Sequence, residues 1–159
     1  MSSSTLLIKF GGTSVGTPEA MQQAAEIVRQ AAETWTHVVV VTSALSGVTD
    51  LLLHSARSAA DGDLQPFYRA EGTLRSRHAS LCAALLPDPQ ERTRTMRAVG
   101  ELLAVFRNLC QAVAVLGEAS PRALDAIASL GERMSVRVLS AALQARGLPA
   151  RWVEASESI

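Results

Sequence analysis

The sequence predicts an α/β fold, a three-layer αβα sandwich around a mainly parallel sheet. Three observations predict it. Two short apolar runs, Leu6-Leu7-Ile8 and Val38-Val39-Val40-Val41, flank one amphipathic stretch, the strand–helix–strand order of a parallel crossover. The second run is β-branched throughout, the pattern of a strand covered on both faces. Each run ends in a turn rich in glycine, serine and threonine, at the strand ends where open α/β sheets bind ligands.

The first run ends in Lys9-Phe10-Gly11-Gly12-Thr13-Ser14-Val15. Two glycines allow turns with φ > 0 and close approach to an anion, so that several N–H groups can point at one phosphate. Lys9 adds a positive charge, and it is the only lysine among the 15 basic residues. Its compact ammonium suits a phosphate that a broad guanidinium would crowd. A bare Gly-Gly is otherwise simply a strand-to-helix turn.

Thr17-Pro18-Glu19 reads as N-cap, first helical residue and first-turn acid. The helix it opens runs over 20–34, with an apolar stripe of Met21, Ala24, Ala25, Ile27, Val28 and Ala31. The second run leads into a loop over 42–50, beside the first turn at the same edge of the sheet. Its hydroxyls at Ser43, Ser46 and Thr49 either cap the next helix, 51–60, or face a ligand.

Asp61-Gly62-Asp63 is a turn, and a helical stretch follows over 64–86. Asp88, Pro89 and Glu91 make a capping box for a helix reaching Leu116, where Gly117 stops it. The span of about 64–117 is therefore expected to be a helical insertion. Ser120-Pro121 opens a further helix ending at Gly147-Leu148-Pro149, and Arg151-Trp152-Val153-Glu154 is expected to be a third strand. Gly131 interrupts that last helix at a cost of about 1 kcal/mol relative to alanine, so close packing, a bend or a ligand must explain it.

A chain of 159 residues builds one core, as one domain or part of a larger one. With 48% apolar residues and zero net formal charge, neither disorder nor a nucleic-acid surface is indicated. No basic leader with an apolar core opens the chain, and no apolar run reaches about 18 residues, so a cytoplasmic protein without a membrane span is expected. Cys82 and Cys110 lack ligand spacing and read as buried thiols, while His78 and Cys82 make at most two ligands of an unlikely metal site.

Three segments carry a resemblance. Lys9 to Val15 resembles the N-terminal signature of aspartate kinases, of the amino-acid kinase superfamily. Ser43-Ala44-Leu45-Ser46-Gly47-Val48-Thr49 is similar to that family's Ser-Ala-x-x-Gly-x-Thr segment, and Gly131-Glu132-Arg133-Met134-Ser135 to its Gly-Glu-x-x-Ser segment. The resemblance implies phosphoryl transfer from ATP to the side-chain carboxylate of L-aspartate, giving 4-phospho-L-aspartate on the route to lysine, threonine and methionine. It implies that Lys9 meets the transferring phosphoryl group, and that Lys9, Phe10, Gly11, Gly12, Thr13 and Ser14 form the phosphate site. Ser43, Ala44 and Thr49 would hold the aspartate and Glu132 its ammonium. Mg²⁺ would arrive through the nucleotide, with no protein metal ligand.

The family's catalytic domain continues beyond the equivalent of residue 159, into a second phosphate loop and most of the adenine pocket. Residues 1–159 are thus expected to be the amino-acid-substrate part of a kinase domain, with negligible activity alone and with a C-terminal continuation or a second copy as partner. Two other readings stay open: a kinase for another acidic amino acid such as glutamate, and a non-catalytic module that binds an amino acid or a partner chain.

Overall fold

The computed structural model describes residues 4–154, so the outermost residues of the expected 1–159 domain lie outside it. Strand β1 (Thr5–Phe10) pairs in parallel with β2 (His37–Thr42), with Leu7 opposite Val39 and Lys9 opposite Val41. The crossover between them holds a short helix α1 (Gly12–Val15) and a long helix α2 (Pro18–Thr34). Four helices follow: α3 (Val48–Ala60), α4 (Gln65–Leu85), α5 (Pro89–Leu116) and α6 (Pro121–Gln144).

The expected start signals are in place. The Thr17 hydroxyl accepts the Ala20 N–H at 3.2 Å, and the Ser120 hydroxyl accepts that of Ala123 at 3.3 Å. The Asp88 carboxylate accepts the Gln90 N–H at 2.9 Å. The reciprocal half of the capping box is not found among the described residues, where Glu91 pairs instead with Arg94 at 2.6 Å, one turn on. Gly117, at φ 66°, ends α5 as anticipated.

The core lies between the helices and one face of the sheet. Ile8, Val38 and Val40 pack inward, and α2 buries Met21, Ala24, Ala25 and Val28. Ile27, at the edge of that stripe, stays 43% exposed. Phe67 of α4 meets Phe106 of α5 at 5.3 Å in an edge-on contact, both fully buried. α5 is long and apolar enough, by length and composition alone, to cross a membrane. Its stripe of Val99, Leu103, Phe106, Cys110 and Val113 is instead buried in the core.

Two expectations are corrected. The valine run is covered on one face only: Leu7, Val39 and Val41 are 65%, 46% and 45% exposed. Alternate residues of a strand point to opposite faces, and among the described residues the helices pack on the Ile8–Val40 face. An unbroken β-branched run suits either case, so sequence could not separate them. Residues 151–154 form no strand ladder among the described residues. Side chains hold them instead: Arg133 and Arg137 of α6 each reach Glu154 at 2.9 Å, and the Arg137 guanidinium lies 4.0 Å over the Trp152 ring.

Candidate functional site: three segments at one end of the sheet

β1 ends with Lys9 exposed and Phe10 buried, as strand alternation requires. Among the described residues Lys9 has no carboxylate partner, so its charge is uncommitted. The two glycines that follow do not take the positive φ expected of them. Gly11 is extended, at φ −78° and ψ 171°, and Gly12 opens α1. Their value lies in space. A Cβ on Gly12 would stand 2.8 Å from the Ala44 carbonyl oxygen and 3.3 Å from the Ser46 nitrogen, so only glycine lets the two turns touch. A Cβ on Gly11 would meet nothing within 4 Å, so this side of the turn is open to a ligand. Thr13 and Ser14 are exposed, and with Phe10, Gln23, Ala24 and Ile27 they line a shallow recess beside α2.

The second turn is bonded to the first. The Ser43 N–H donates to the Phe10 carbonyl at 3.1 Å, and the Ser46 N–H donates to that of Gly12 at 3.2 Å. Ala44 and Leu45 are buried beneath it. α3 begins at Val48, three residues earlier than the sequence suggests, so Thr49 sits on its first turn. The N-cap is Gly47, at φ 75°, with no side-chain cap. Among the described residues none of the hydroxyls of Ser43, Ser46 and Thr49 caps the helix, which removes the structural explanation for this cluster.

α6 brings in the third segment. A Cβ on Gly131 would lie 2.8 Å from Ala44 Cβ, 3.0 Å from Val48 Cγ1 and 3.4 Å from Leu52 Cδ1. Of the explanations open for this mid-helix glycine, the structure selects close packing, and the helix it packs on begins in the serine-rich turn. Glu132, the next residue, is exposed at that junction. Ser135, one turn on and fully buried, faces the Thr42 hydroxyl at 3.5 Å across the end of β2. The first turn, the second turn and the Gly131 turn of α6 are thus one contiguous surface.

These are the three segments in which the resemblance was seen, and comparison with known proteins supports the family that it named. Residues 4–159 match the amino acid kinase family. The chain belongs to that family. Among its relatives are an aspartokinase of Candida albicans, 33% identical over 95% of this chain and 28% of its own length. An aspartate kinase of Pseudomonas fluorescens is 30% identical over 89% of this chain and 21% of its own. The crystal structure of Escherichia coli aspartokinase III with aspartate and ADP superposes with a TM-score of 0.74, at 29% identity over 94% of this chain and 31% of that one. The same enzyme with lysine and aspartate gives 0.77. The fold is therefore the amino acid kinase α/β fold of the aspartokinases, and the chain spans less than a third of the length of these relatives.

Thr42, Ser46 and Ser135 tie the three segments together, and of these only Thr42 had not been singled out in the sequence. Ser135 had a signal, since it lies four residues after Gly131 and so on the same helical face. Thr42 had none, because its contact with Ser135 is long-range. His78 is fully buried and its Nδ1 hydrogen-bonds the Leu74 carbonyl at 2.7 Å, so its role is packing. Burial pushes the Cys82 thiol up to about 11 and the Cys110 thiol up to about 12, which leaves both unreactive.

Proposed function

We propose that this chain forms the amino-acid-binding part of an aspartokinase, which transfers a phosphoryl group from ATP to the side-chain carboxylate of L-aspartate. The observation that carries the reading is the seating of Gly131 on Ala44 and Val48, which joins the Glu132 turn to a serine-rich turn already bonded to Phe10 and Gly12. An acidic amino acid needs an anion-tolerant surface for its side-chain carboxylate and an acidic group where its ammonium sits. Lys9 and Glu132 are both exposed and carry opposite charges, one in the first segment and one in the third.

In this reading Ser43 and Thr49 hydrogen-bond the aspartate, Ala44 shapes the floor beneath it, and Glu132 pairs with its ammonium. Phe10 anchors the Gly11-Gly12 turn through its buried ring, and the turn's amides with the Thr13 and Ser14 hydroxyls face the phosphates. The aspartate carboxylate is already ionised near neutral pH, so no general base is required. Its oxygen bonds to the γ-phosphorus as the bond to the ADP oxygen breaks, and Lys9 offsets charge that spreads over the phosphoryl oxygens. Mg²⁺ would be carried by the nucleotide's phosphates and would neutralise them.

Titration calorimetry with L-aspartate and then L-glutamate tests the reading. One saturable aspartate site, weaker for glutamate and weakened at least about tenfold by Glu132→Ala, is expected from the loss of a charge-assisted contact. Tighter glutamate binding would move the substrate assignment, and a folded chain that binds neither would favour a non-catalytic module.

A further inference from the structure

The serine-rich turn is held from a third side, by a residue far from it in sequence. Ser46 lies at its centre. The Ser46 N–H donates to the Gly12 carbonyl at 3.2 Å, and the Ser46 carbonyl accepts from Arg77 Nη1 at 3.0 Å. Arg77 stands on α4, is half-buried, and has no carboxylate partner among the described residues. The peptide it grips joins Ser46 to Gly47, the residue at φ 75° where the turn becomes α3. That junction lacks a side-chain cap; a backbone turn closed by the Val48 N–H on the Leu45 carbonyl at 2.9 Å spans it, and among the described residues Arg77 adds the side-chain bond that ties it to another element. A planar guanidinium with several fixed donors is suited to holding one carbonyl in place.

We propose that Arg77 is a positioning residue for the substrate turn: through the Ser46 carbonyl it fixes the Ser46–Gly47 peptide, and with it the placement of Ser43 and Thr49 against the Gly11-Gly12 turn. The proposal rests on the reading of this turn as the aspartate-binding surface. It assigns α4 a part in that site although α4 supplies none of its ligand-contacting groups. Arg77 acts on the ligand only through the turn, so the expected signature is altered turn dynamics without ligand, followed by weakened binding.

Hydrogen exchange of the ligand-free chain is read at the amides of Ser46, Val48 and Leu51, which are bonded to the carbonyls of Gly12, Leu45 and Gly47. Arg77→Ala is expected to speed exchange at Ser46 and Val48 by about tenfold or more, while the amides of α5 and α6 stay protected. Arg77→Lys, which can still reach a carbonyl, is expected to restore part of that protection. In calorimetry Arg77→Ala is expected to weaken aspartate binding by about tenfold, with Arg77→Lys between it and the unsubstituted chain. Unchanged exchange at Ser46 and Val48 in Arg77→Ala overturns the proposal whatever the calorimetry shows. Faster exchange with unchanged aspartate affinity also overturns it, since the turn would then be tethered without consequence for the ligand. If the unsubstituted chain binds no aspartate, the substrate reading fails by itself, and the exchange data still decide whether Arg77 holds the turn.

Discussion

Gly131 of α6 lies so close to Ala44 that a β-carbon on the glycine would stand 2.8 Å from that of the alanine. Gly131→Ala sets two effects against each other. Alanine gains about 1 kcal/mol of helix propensity, while overpacking against Ala44 and Val48 costs about 1–3 kcal/mol. Ala44 Cβ is fixed to its own backbone and cannot swing away, so the steric effect wins. Urea unfolding is expected to show a net loss of about 1 kcal/mol, with aspartate binding impaired beyond that loss as Glu132 moves off the turn. A stabilised variant with full binding would show that the contact does not register the site.

The two neighbouring glycines are expected to separate folding from binding. Gly12→Ala drives a methyl into the Ala44 carbonyl and the Ser46 amide, both backbone atoms, and should destabilise by about 1–3 kcal/mol. Gly11→Ala meets open space at an ordinary φ of −78°, so stability should hold within about 0.5 kcal/mol. Nucleotide binding by the folded Gly11→Ala chain should nonetheless fall if a phosphate approaches there. Fluorescence titration with a labelled ATP analogue reads this, and unimpaired binding would remove the Gly11 face from the phosphate site.

Stability should decline in mild acid. Burial holds the His78 imidazole below its ordinary pKa, against the smaller opposing effect of its bond to Leu74. The unfolded chain then binds the proton more readily than the folded one. Stability is therefore fully present above about pH 6.5 and is lost as pH falls below it toward the depressed folded value. The urea midpoint should drop between about pH 7 and about pH 5, and His78→Leu should flatten that part of the profile. An equally steep profile in His78→Leu would place the effect elsewhere.

Glu154 ties residues 151–154 to α6. Its hydrogen bond from Arg137, then that from Arg133, holds its carboxyl below the ordinary carboxylate range in spite of partial burial. With side-chain exposures of 10% for Arg137 and 16% for Glu154, the pair is mostly out of water. Glu154→Gln should cost about 1–2 kcal/mol, between the values for exposed and fully buried pairs. The depressed pKa adds stability above the unfolded value, lost as pH falls below about 4.5, so the gap between variant and parent should close in that range. A gap that does not narrow at all as the pH falls below the unfolded value would argue against the ion pair as its origin.

Local signals were read well from the sequence, and long-range ones poorly. Thr17, Asp88 and Ser120 announced helix starts because a cap is written within three residues. Gly117 announced a stop for the same reason. The segments around Lys9, Ser43 and Glu132 were legible as members of a family because their order carries its resemblance. By contrast, the open face at Leu7, Val39 and Val41 depends on where helices settle, which a valine run does not encode. Residues 151–154 have the composition of a strand, yet Arg133 and Arg137 capture Glu154 from another element. Gly12 was expected to allow a positive φ and close approach to an anion, whereas the structure shows a close approach to the backbone of the second turn without a positive φ. The Arg77–Ser46 bond spans 31 residues and ends on a backbone carbonyl, so nothing in the side chains marks it.

The central claim is that the three segments form one aspartate-binding surface. Backbone amide NMR of the chain titrated with L-aspartate tests it most directly. The account predicts saturable shifts clustered over 11–14, 43–49 and 131–135, diminished together by Glu132→Ala. Saturable shifts elsewhere in a folded chain, or no shifts in these three segments, would contradict it.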